Sequence, residues 1–174
     1  MIYAFEGTRP TIHPTAYVAA EATIIGDVII GEDANIWPGA VIRGDVGRIR
    51  IGARTNIQDG TVIHVDTGAE TVLEDDVTVG HMAMVHSCHV EAACLIGMSA
   101  TVLSRARVGE GSIVAGGAVV LEGQDIAPYS VAAGVPAKVR KSLDEATRAD
   151  RLAHAAHYVE LGQRHRKGLT KHEV

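Results

Sequence analysis

A branched aliphatic residue recurs at every sixth position along most of this chain of 174 residues. A period of six fits neither the α-helical repeat nor the simple alternation of a β-strand. It fits a prism whose flat sides are single hexapeptides, so that three sides make one coil of ~18 residues and stacked coils pair their short strands in parallel. The repeat therefore predicts an all-β solenoid with these side chains pointing inward. The positions that keep the period are Ile12, Val18, Ile24, Ile30, Ile36, Ile42, Ile51, Ile57, Ile63, Val79, Val85, Val90, Ile96, Val102, Val108, Val114 and Val120.

A second, small or β-branched residue follows the aliphatic one after four positions. Aromatic residues make up only 3% of the chain although 47% of it is hydrophobic, so the core must be thin and built without the rings that fill most globular cores. We expect the small residues to fill the space near the corners of the prism. A chance alternation in a Val/Ile-rich β-sandwich, the alternative, does not explain so many positions in register. The small positions are Ala16, Ala22, Val28, Ala34, Ala40, Thr55, Thr61, Ala83, Cys94, Ala100, Ala106, Ser112 and Ala118.

The repeat is irregular in three places in the middle of the chain. The excess of the longest interval is predicted to lie in the polar stretch "DTGAET", residues 66–71. The irregular intervals are nine residues from Ile42 to Ile51, sixteen from Ile63 to Val79 and five from Val85 to Val90.

The segment after the last repeat, "IAPYSVAAGVPAKVRK" at residues 126–141, resembles the closing segment of hexapeptide-repeat proteins. Ser142 and Glu145 then form the pattern of a capping box. We expect a helix over about 143–166, packed along the prism, and a frayed tail. This divides the chain into a β-helix domain with its closing segment, residues 1–141, and a C-terminal helix and tail, residues 142–174. The apolar positions near helical spacing are Leu143, Ala146, Ala149, Ala153, Ala156 and Val159.

Composition and charge exclude several classes of partner. The formal net charge of −5 argues against a nucleic-acid-binding surface, because phosphate contacts need clustered Lys and Arg. No apolar run approaches the ~18 residues of a membrane span, and the first residues lack the basic and apolar regions of a signal peptide. The two cysteines, Cys88 and Cys94, provide no disulfide framework, so reduced thiols and a cytoplasmic location are expected.

Three histidines in the middle of the chain have the spacing of a metal site. His64 and His86 each follow directly on an inward aliphatic residue and are 22 residues apart, which is one coil of ~18 plus the four-residue excess of the longest interval. They should stack in neighbouring coils ~4.8 Å apart, where two imidazoles can reach one metal. His81 should point toward another face, from which a neighbouring subunit in a ring could present it. Three neutral imidazoles and one open position describe a catalytic zinc site.

The motifs R-G-D, N-x-Q-D, H and G-H-x4-H follow one another in "IRGDVGRIRIGARTNIQDGTVIH", residues 42–64, and "GHMAMVH", residues 80–86. In this order they resemble the gamma-class carbonic anhydrases, over roughly residues 10–140 and most of the helix. The resemblance implies a left-handed parallel β-helix and a homotrimer with a metal at each subunit interface. His64 and His86 would come from one chain and His81 from the next. The metal would be Zn2+, with Fe2+ or Co2+ as alternatives.

The resemblance also implies roles for the polar residues of these motifs. Arg43 and Asp45 would form an ion pair between subunits. Gln58 would orient the metal-bound hydroxide or the substrate, and Asp59 would assist near the site or brace its loop. Tyr158, in the helix, would bring its hydroxyl toward the site. The polar cluster implied beside the metal thus comprises Asn56, Gln58 and Asp59.

The implied activity is that of a lyase, the reversible hydration of CO2 to bicarbonate by a metal-bound hydroxide. The best-studied kind of member has one glutamate directly after R-G-D and another in an acidic loop after the first histidine. This chain has Val46 and the short "VDTGAET" with Asp66 and Glu70 instead, so slow proton export is expected. A metal-dependent (thio)ester hydrolase on a CoA-type substrate and a non-catalytic trimeric assembly protein are the alternatives. A hexapeptide acyltransferase is a further one, since that fold hosts many of them.

Overall fold

The computed structural model describes residues 1–170 and residue 172. Within that part of the chain it contains twenty strands, one short 3-10 helix at Glu145–Thr147 and one α-helix, α1, at Arg148–Gly168. The strands in chain order are β1 Ile2–Tyr3, β2 Thr11–Ile12, β3 Tyr17–Val18, β4 Thr23–Ile30, β5 Asn35–Ile36, β6 Val41–Ile51, β7 Asn56–Ile57, β8 Val62–His64, β9 Glu70–Leu73, β10 Thr78–Val79, β11 Met84–His86, β12 His89–Val90, β13 Leu95–Ile96, β14 Thr101–Val102, β15 Arg107–Val108, β16 Ile113–Val114, β17 Val119–Val120, β18 Asp125–Ile126, β19 Ser130–Ala133 and β20 Lys138–Ser142.

The strands stack into a parallel solenoid of about seven turns with three flat faces. Face one consists of β1, β8, β11, β14 and β17 with residues 23–25 of β4 and 41–43 of β6. Face two consists of β2, β9, β12, β15 and β18 with residues 28–30 of β4 and 49–51 of β6, so these two long strands continue from one face to the next. Face three consists of β3, β5, β7, β10, β13, β16 and β19. The last strand, β20, pairs antiparallel with β19 and closes face three.

The hexapeptide register places the predicted residues in the core. Fifteen of the seventeen aliphatic positions are 2% exposed or less, and the thirteen small positions are all at most 4% exposed. Ile12 and Val18 are only partly buried because they belong to the first coil, which has a neighbour on one side alone. The prediction of a hexapeptide-repeat solenoid with a thin aliphatic core is confirmed.

The helix α1 packs on face three, but neither its predicted start nor its predicted apolar side is correct. Ser142 is the last residue of β20, and the Asp144 side chain caps the 3-10 turn by accepting a hydrogen bond from the Ala146 amide at 2.9 Å. The buried helix residues are Arg151, Ala155 and Gly162, whereas the predicted contact residues Ala149, Ala153 and Ala156 are exposed.

The close approach of the helix to face three depends on a glycine. A Cβ on Gly162 would lie 3.2 Å from the Tyr17 Cβ and 3.3 Å from the Asn35 Cβ, so a larger residue would push α1 away from the sheet. Tyr158 and Leu161 pack partly buried against the core from the same helix. No helix among the residues that the structure describes is long and apolar enough to cross a membrane.

Candidate metal centre

His64 and His86 lie opposite each other on the paired strands β8 and β11 of face one. Their ring centroids are 5.2 Å apart, and His64 Nδ1 faces His86 Nε2 at 3.1 Å. The stacking predicted from the shared hexad slot is therefore confirmed. The backbone hydrogen bonds of a parallel strand pair fix the two Cα positions, so the rings are held together by the fold itself.

Asp45 holds the far nitrogen of His64. Burial acts to raise the pKa of the Asp45 carboxyl, but hydrogen bonds from Arg43 and His64 outweigh burial and keep this pKa below its ordinary value. The carboxylate is therefore ionised at neutral pH and can only accept hydrogen bonds. Arg43 Nη1 donates to Oδ2 at 2.5 Å, and His64 Nε2 donates to Oδ1 at 3.0 Å. With its proton on Nε2, a neutral His64 turns the Nδ1 lone pair toward His86.

Ser104 and Asp66 hold the far nitrogen of His86 in the same way. The Ser104 hydroxyl donates its single proton to Asp66 Oδ2 at 2.7 Å, and this hydrogen bond is the largest cause that keeps the pKa of Asp66 below its ordinary value. The Ser104 oxygen, 3.0 Å from His86 Nδ1, must then accept a proton from that nitrogen. A neutral His86 therefore turns its Nε2 lone pair toward His64.

In these tautomers the two lone pairs, on nitrogens 3.1 Å apart, repel unless a proton or a metal ion lies between them. Two ligand nitrogens on a tetrahedral metal with bonds of 2.0–2.1 Å are ~3.3 Å apart, close to the separation observed. Protein ligands of this kind characteristically donate their other ring N–H to a carboxylate, carbonyl or hydroxyl, as both histidines do. The donor set, its spacing and its outer hydrogen bonds thus fit a divalent metal ion.

The structure does not bring His81 to this pair. His81 lies at the corner that leads from face three to face one, where its Nδ1 is 2.8 Å from Asp59 Oδ2. Its Nε2 has no hydrogen-bond partner among the described residues, and its side chain is 44% exposed. In the part of the chain that the structure describes, no three His, Cys, Asp or Glu side chains converge on one point. One chain thus supplies two facing donors, and a third donor that points elsewhere.

The remaining predicted residues cluster around His81 rather than around His64 and His86. The buried Gln58 donates through Nε2 to Asn56 Oδ1 at 3.0 Å, and Asn56 donates to Thr78 Oγ1 at 2.8 Å. Burial is the main cause that raises the pKa of Tyr158, the charge of Asp59 adds to it, and a hydrogen bond with Gln58 partly offsets both. Tyr158 therefore keeps its proton at neutral pH and lies beside Gln58.

These residues form two separate groups within one chain. The face-one half-site comprises Arg43, Asp45, His64, Asp66, His86 and Ser104. The corner half-site comprises Asn56, Gln58, Asp59, His81 and Tyr158. Sequence reasoning missed Ser104. The strand register pairs Val85 with Val102, 17 residues later, so the repeat does not place a residue 18 positions after His86 in register with it.

Comparison with known proteins places the chain in a family. The family model described as "Bacterial transferase hexapeptide (six repeats)" matches residues 9–44. A protein named carbonic anhydrase from Geobacillus kaustophilus is 42% identical over 94% of this chain and 90% of its own length. The carnitine operon protein CaiE of a Proteus species is 38% identical over 98% of this chain and 86% of its own length.

Two further matches agree with these. The mitochondrial gamma carbonic anhydrase 1 of Arabidopsis thaliana is 38% identical over 90% of this chain and 59% of its own length. A Bacillus cereus crystal structure described as an acetyltransferase is 42% identical in sequence and superimposes with a TM-score of 0.93. The match covers 96% of this chain and 97% of that chain. The chain therefore belongs to the gamma-class carbonic anhydrase-like family of hexapeptide-repeat proteins.

Proposed function

We propose that this protein is a metal-dependent enzyme that reversibly hydrates CO2 to bicarbonate and is active as a homotrimer. The observation that carries the proposal is the pair of histidine nitrogens, His64 Nδ1 and His86 Nε2, held 3.1 Å apart while the other ring nitrogens face Asp45 and Ser104. This arrangement fits two of the three imidazole ligands of a catalytic zinc site.

The two half-sites support a trimer because they cannot meet within one chain. A head-to-tail contact that places the corner half-site of one chain on the face-one half-site of the next would form a ring, and the likeness to gamma-class carbonic anhydrases implies three copies. His81 of the partner subunit would then complete the ligand set of His64 and His86. Arg43 and Asp45, paired within one chain in the structure, would lie at that contact.

Apolar residues around both half-sites support the same contact. Met82 and Met98, at the corner, are 72% and 62% exposed, and Met84, on the outward side of face one, is 37% exposed. Val41 and Val62 also lie on that outward side, in register with Met84. Contiguous exposed apolar side chains of this kind mark protein interfaces.

A bound divalent ion, Zn2+ or alternatively Fe2+ or Co2+, supplies a nucleophile at neutral pH by lowering the pKa of water to ~7. The chain itself provides orientation. Asp45 and Asp59 fix the rings of His64 and His81 through hydrogen bonds of 3.0 and 2.8 Å. The Gln58 amide is already held by Asn56, so it can orient CO2 or bicarbonate without reorganising during the reaction.

Proton export is the step for which the chain is poorly equipped. Val46, 42% exposed beside Asp45, cannot carry a proton, and the Asp66 carboxylate is engaged by Ser104. Glu70 is exposed at the start of β9 and lacks a defined contact with either half-site. We therefore propose that turnover is slow and that buffer bases take up the proton.

The cytoplasm is the proposed location. Cys88 and Cys94 are both free and buried, and burial raises the pKa of each thiol to about 12. Two reduced thiols in the core suit a reducing compartment.

Stopped-flow measurement of CO2 hydration by the metal-loaded protein tests the proposal, with His86→Ala as the metal-site variant and His13→Ala, exposed in the first coil, as the control. The parent and His13→Ala should hydrate CO2, whereas His86→Ala should not. Absence of hydration by a fully metal-loaded parent would contradict the proposal. Hydrolysis of acyl-CoA thioesters, measured in parallel, would then identify the (thio)ester hydrolase, and inertness in both assays would leave the assembly protein.

A further inference from the structure

Ser104 bridges a gap that no direct hydrogen bond can span. Asp66 Oδ2 lies 3.9 Å from His86 Nδ1, beyond hydrogen-bonding distance. The Ser104 oxygen lies 3.0 Å from that nitrogen and 2.7 Å from the carboxylate. Ser104 comes from the next coil of the solenoid, one repeat beyond His86, and only 5% of it is exposed. Ser104 therefore connects the exposed Asp66 carboxylate to the half-buried His86 ring through two hydrogen bonds.

The longest irregularity of the repeat brings Asp66 to this position. The turn between β8 and β9 is fastened by several hydrogen bonds: the Asp66 amide donates to Ser87 Oγ, the Gly68 amide to the Val46 carbonyl, and Thr71 Oγ1 to the His64 carbonyl. The same Thr71 oxygen accepts from the Ser87 amide at 2.9 Å. The turn is thus tied to the strands that carry His64 and His86, so the carboxylate has a fixed position relative to them.

We propose that Ser104 and Asp66 are positioning residues that hold His86 in the tautomer with its proton on Nδ1. A neutral imidazole has one proton, and free imidazole side chains in water favour Nε2. Because Ser104 gives its own proton to Asp66, its oxygen can only accept, and His86 places the proton on Nδ1. The Nε2 lone pair is then ready for a metal ion before that ion arrives. The consequence for metal affinity rests on the proposed function, whereas the tautomer itself does not.

A change at Asp66 distinguishes this role from simple packing. Asp66→Asn keeps the shape of the side chain but lets its amide donate a hydrogen bond to the Ser104 oxygen. Ser104 is then free to donate to His86, which places the His86 proton on Nε2. Removal of the hydroxyl in Ser104→Ala leaves His86 Nδ1 without a fixed acceptor, and Ser104→Thr retains the hydroxyl. Ser112→Ala is the matched control, because Ser112 is a buried serine with two hydrogen bonds, far from both half-sites.

The tautomer is measured on the metal-free trimer at pH 8, by two-bond 15N correlation spectra of the histidine rings. We expect His86 in the Nδ1–H form in the parent, Ser104→Thr and Ser112→Ala, and a shift toward Nε2–H in Ser104→Ala and Asp66→Asn. An Nε2–H form in the parent, or an unchanged spectrum in both altered variants, would overturn the inference.

Metal affinity is measured on the same proteins by competition with a chelator. Loss of an outer-layer partner of a metal ligand lowers affinity ~10–100-fold, and this loss is expected for Ser104→Ala and Asp66→Asn but not for Ser104→Thr or Ser112→Ala. Equal affinities in all five proteins would contradict the role in metal binding. A parent that binds no metal at all would contradict the proposed function, and the ring spectra would still decide the tautomer.

Discussion

The two half-sites differ in how the fold holds them. On face one, His64 and His86 belong to paired strands, and their side chains are 20% and 25% exposed. The outer nitrogen of His64 faces the Asp45 carboxylate, and that of His86 faces the Ser104 hydroxyl. At the corner, His81 belongs to a turn, is 44% exposed, and has one engaged nitrogen. The face-one half-site thus provides two of three histidine ligands, and the corner half-site provides the third.

This difference follows from the backbone at each place. The positions of the His64 and His86 rings depend on strand register, which the inward aliphatic residues of β8 and β11 specify. The corner ring depends on a turn in which the His81 carbonyl accepts a hydrogen bond from the Ser99 amide at 2.9 Å and the next residue, Met82, has a left-handed φ of 59°. A solenoid can therefore present strand residues and corner residues in different directions, which suits a contact between different surfaces of identical subunits.

Placing the His81 and His86 substitutions on different chains tests directly whether the two half-sites meet between subunits. Chains with His81→Ala and chains with His86→Ala, each with its own tag, are co-expressed and the mixed trimers are purified through both tags. Each mixed ring then has one junction where an intact pair meets an intact His81, so about one third of the parent metal content should return. Either variant alone should bind almost none.

Elemental analysis of the three preparations measures this. Mixed trimers that bind no more metal than the single variants would mean that the two half-sites do not meet between subunits. Parent-like metal content in His81→Ala alone would show that the corner histidine is not a ligand.

The ion pair of face one should matter more than an equally exposed pair elsewhere. Arg43 and Asp45 are 43% and 18% exposed, and Arg54 and Asp76, at another corner, are 40% and 13% exposed. An exposed pair contributes ~0–1 kcal/mol, whereas removal of one partner of a pair desolvated by an interface costs ~3–5 kcal/mol. Arg43→Ala should therefore weaken trimer association strongly, and Arg54→Ala should leave it almost unchanged.

Sedimentation equilibrium over a dilution series measures the association of both variants. Equal dissociation of the two would place Arg43 and Asp45 on the open surface of the trimer.

Strand register under the histidine pair can be perturbed separately from overall stability. Ile63, between Val62 and His64 on β8, and Ile126, on β18, are both almost completely buried. Truncation of either to alanine should lower the free energy of unfolding by ~2–5 kcal/mol. Only Ile63→Ala should also lower metal affinity at temperatures where both proteins are folded, because the cavity lies beneath the His64 backbone. Denaturant titration and chelator competition separate the two effects, and an equal loss of affinity in both variants would show that the pair senses only global stability.

The sequence predicts these regions to different depths. The solenoid and the stacking of His64 on His86 follow from a local rule, one inward residue every six, which is repeated often enough to fix the register. The side of α1 that packs on face three was predicted wrongly. Small residues such as Ala155 and Gly162 bury little apolar area. Helical periodicity therefore gives only a weak indication of which side of an alanine-rich helix packs on the sheet.

The side-chain contacts that define the two half-sites could not be predicted from the sequence either. Gln58 lies one hexad before His64, and the hexapeptide slot alone does not reveal that Gln58 lies beside Tyr158 of the C-terminal helix. Ser104 reaches His86 from the following coil through a side-chain hydrogen bond. Contacts of this kind depend on side-chain direction and on the path of the turns, which a hexapeptide pattern does not specify.

The smallest expected effect concerns the rate of proton export from face one. Val46 is 42% exposed next to Asp45, and Asp66, the first acidic residue after His64, is engaged by Ser104. Added imidazole should therefore raise kcat of the metal-loaded trimer by up to ~10-fold at fixed ionic strength, because an external base replaces the missing one.

Val46→Glu should raise kcat without imidazole and reduce the effect of imidazole, whereas Val139→Glu, a similarly exposed position on β20, should change neither. In the proposed mechanism Gln58 acts in the attack step, which precedes export, so Gln58→Ala should lower kcat/KM at unchanged metal content. A high kcat that does not respond to imidazole would mean that another side chain already exports the proton, and Glu70, exposed at the start of β9, would then be the first residue to replace.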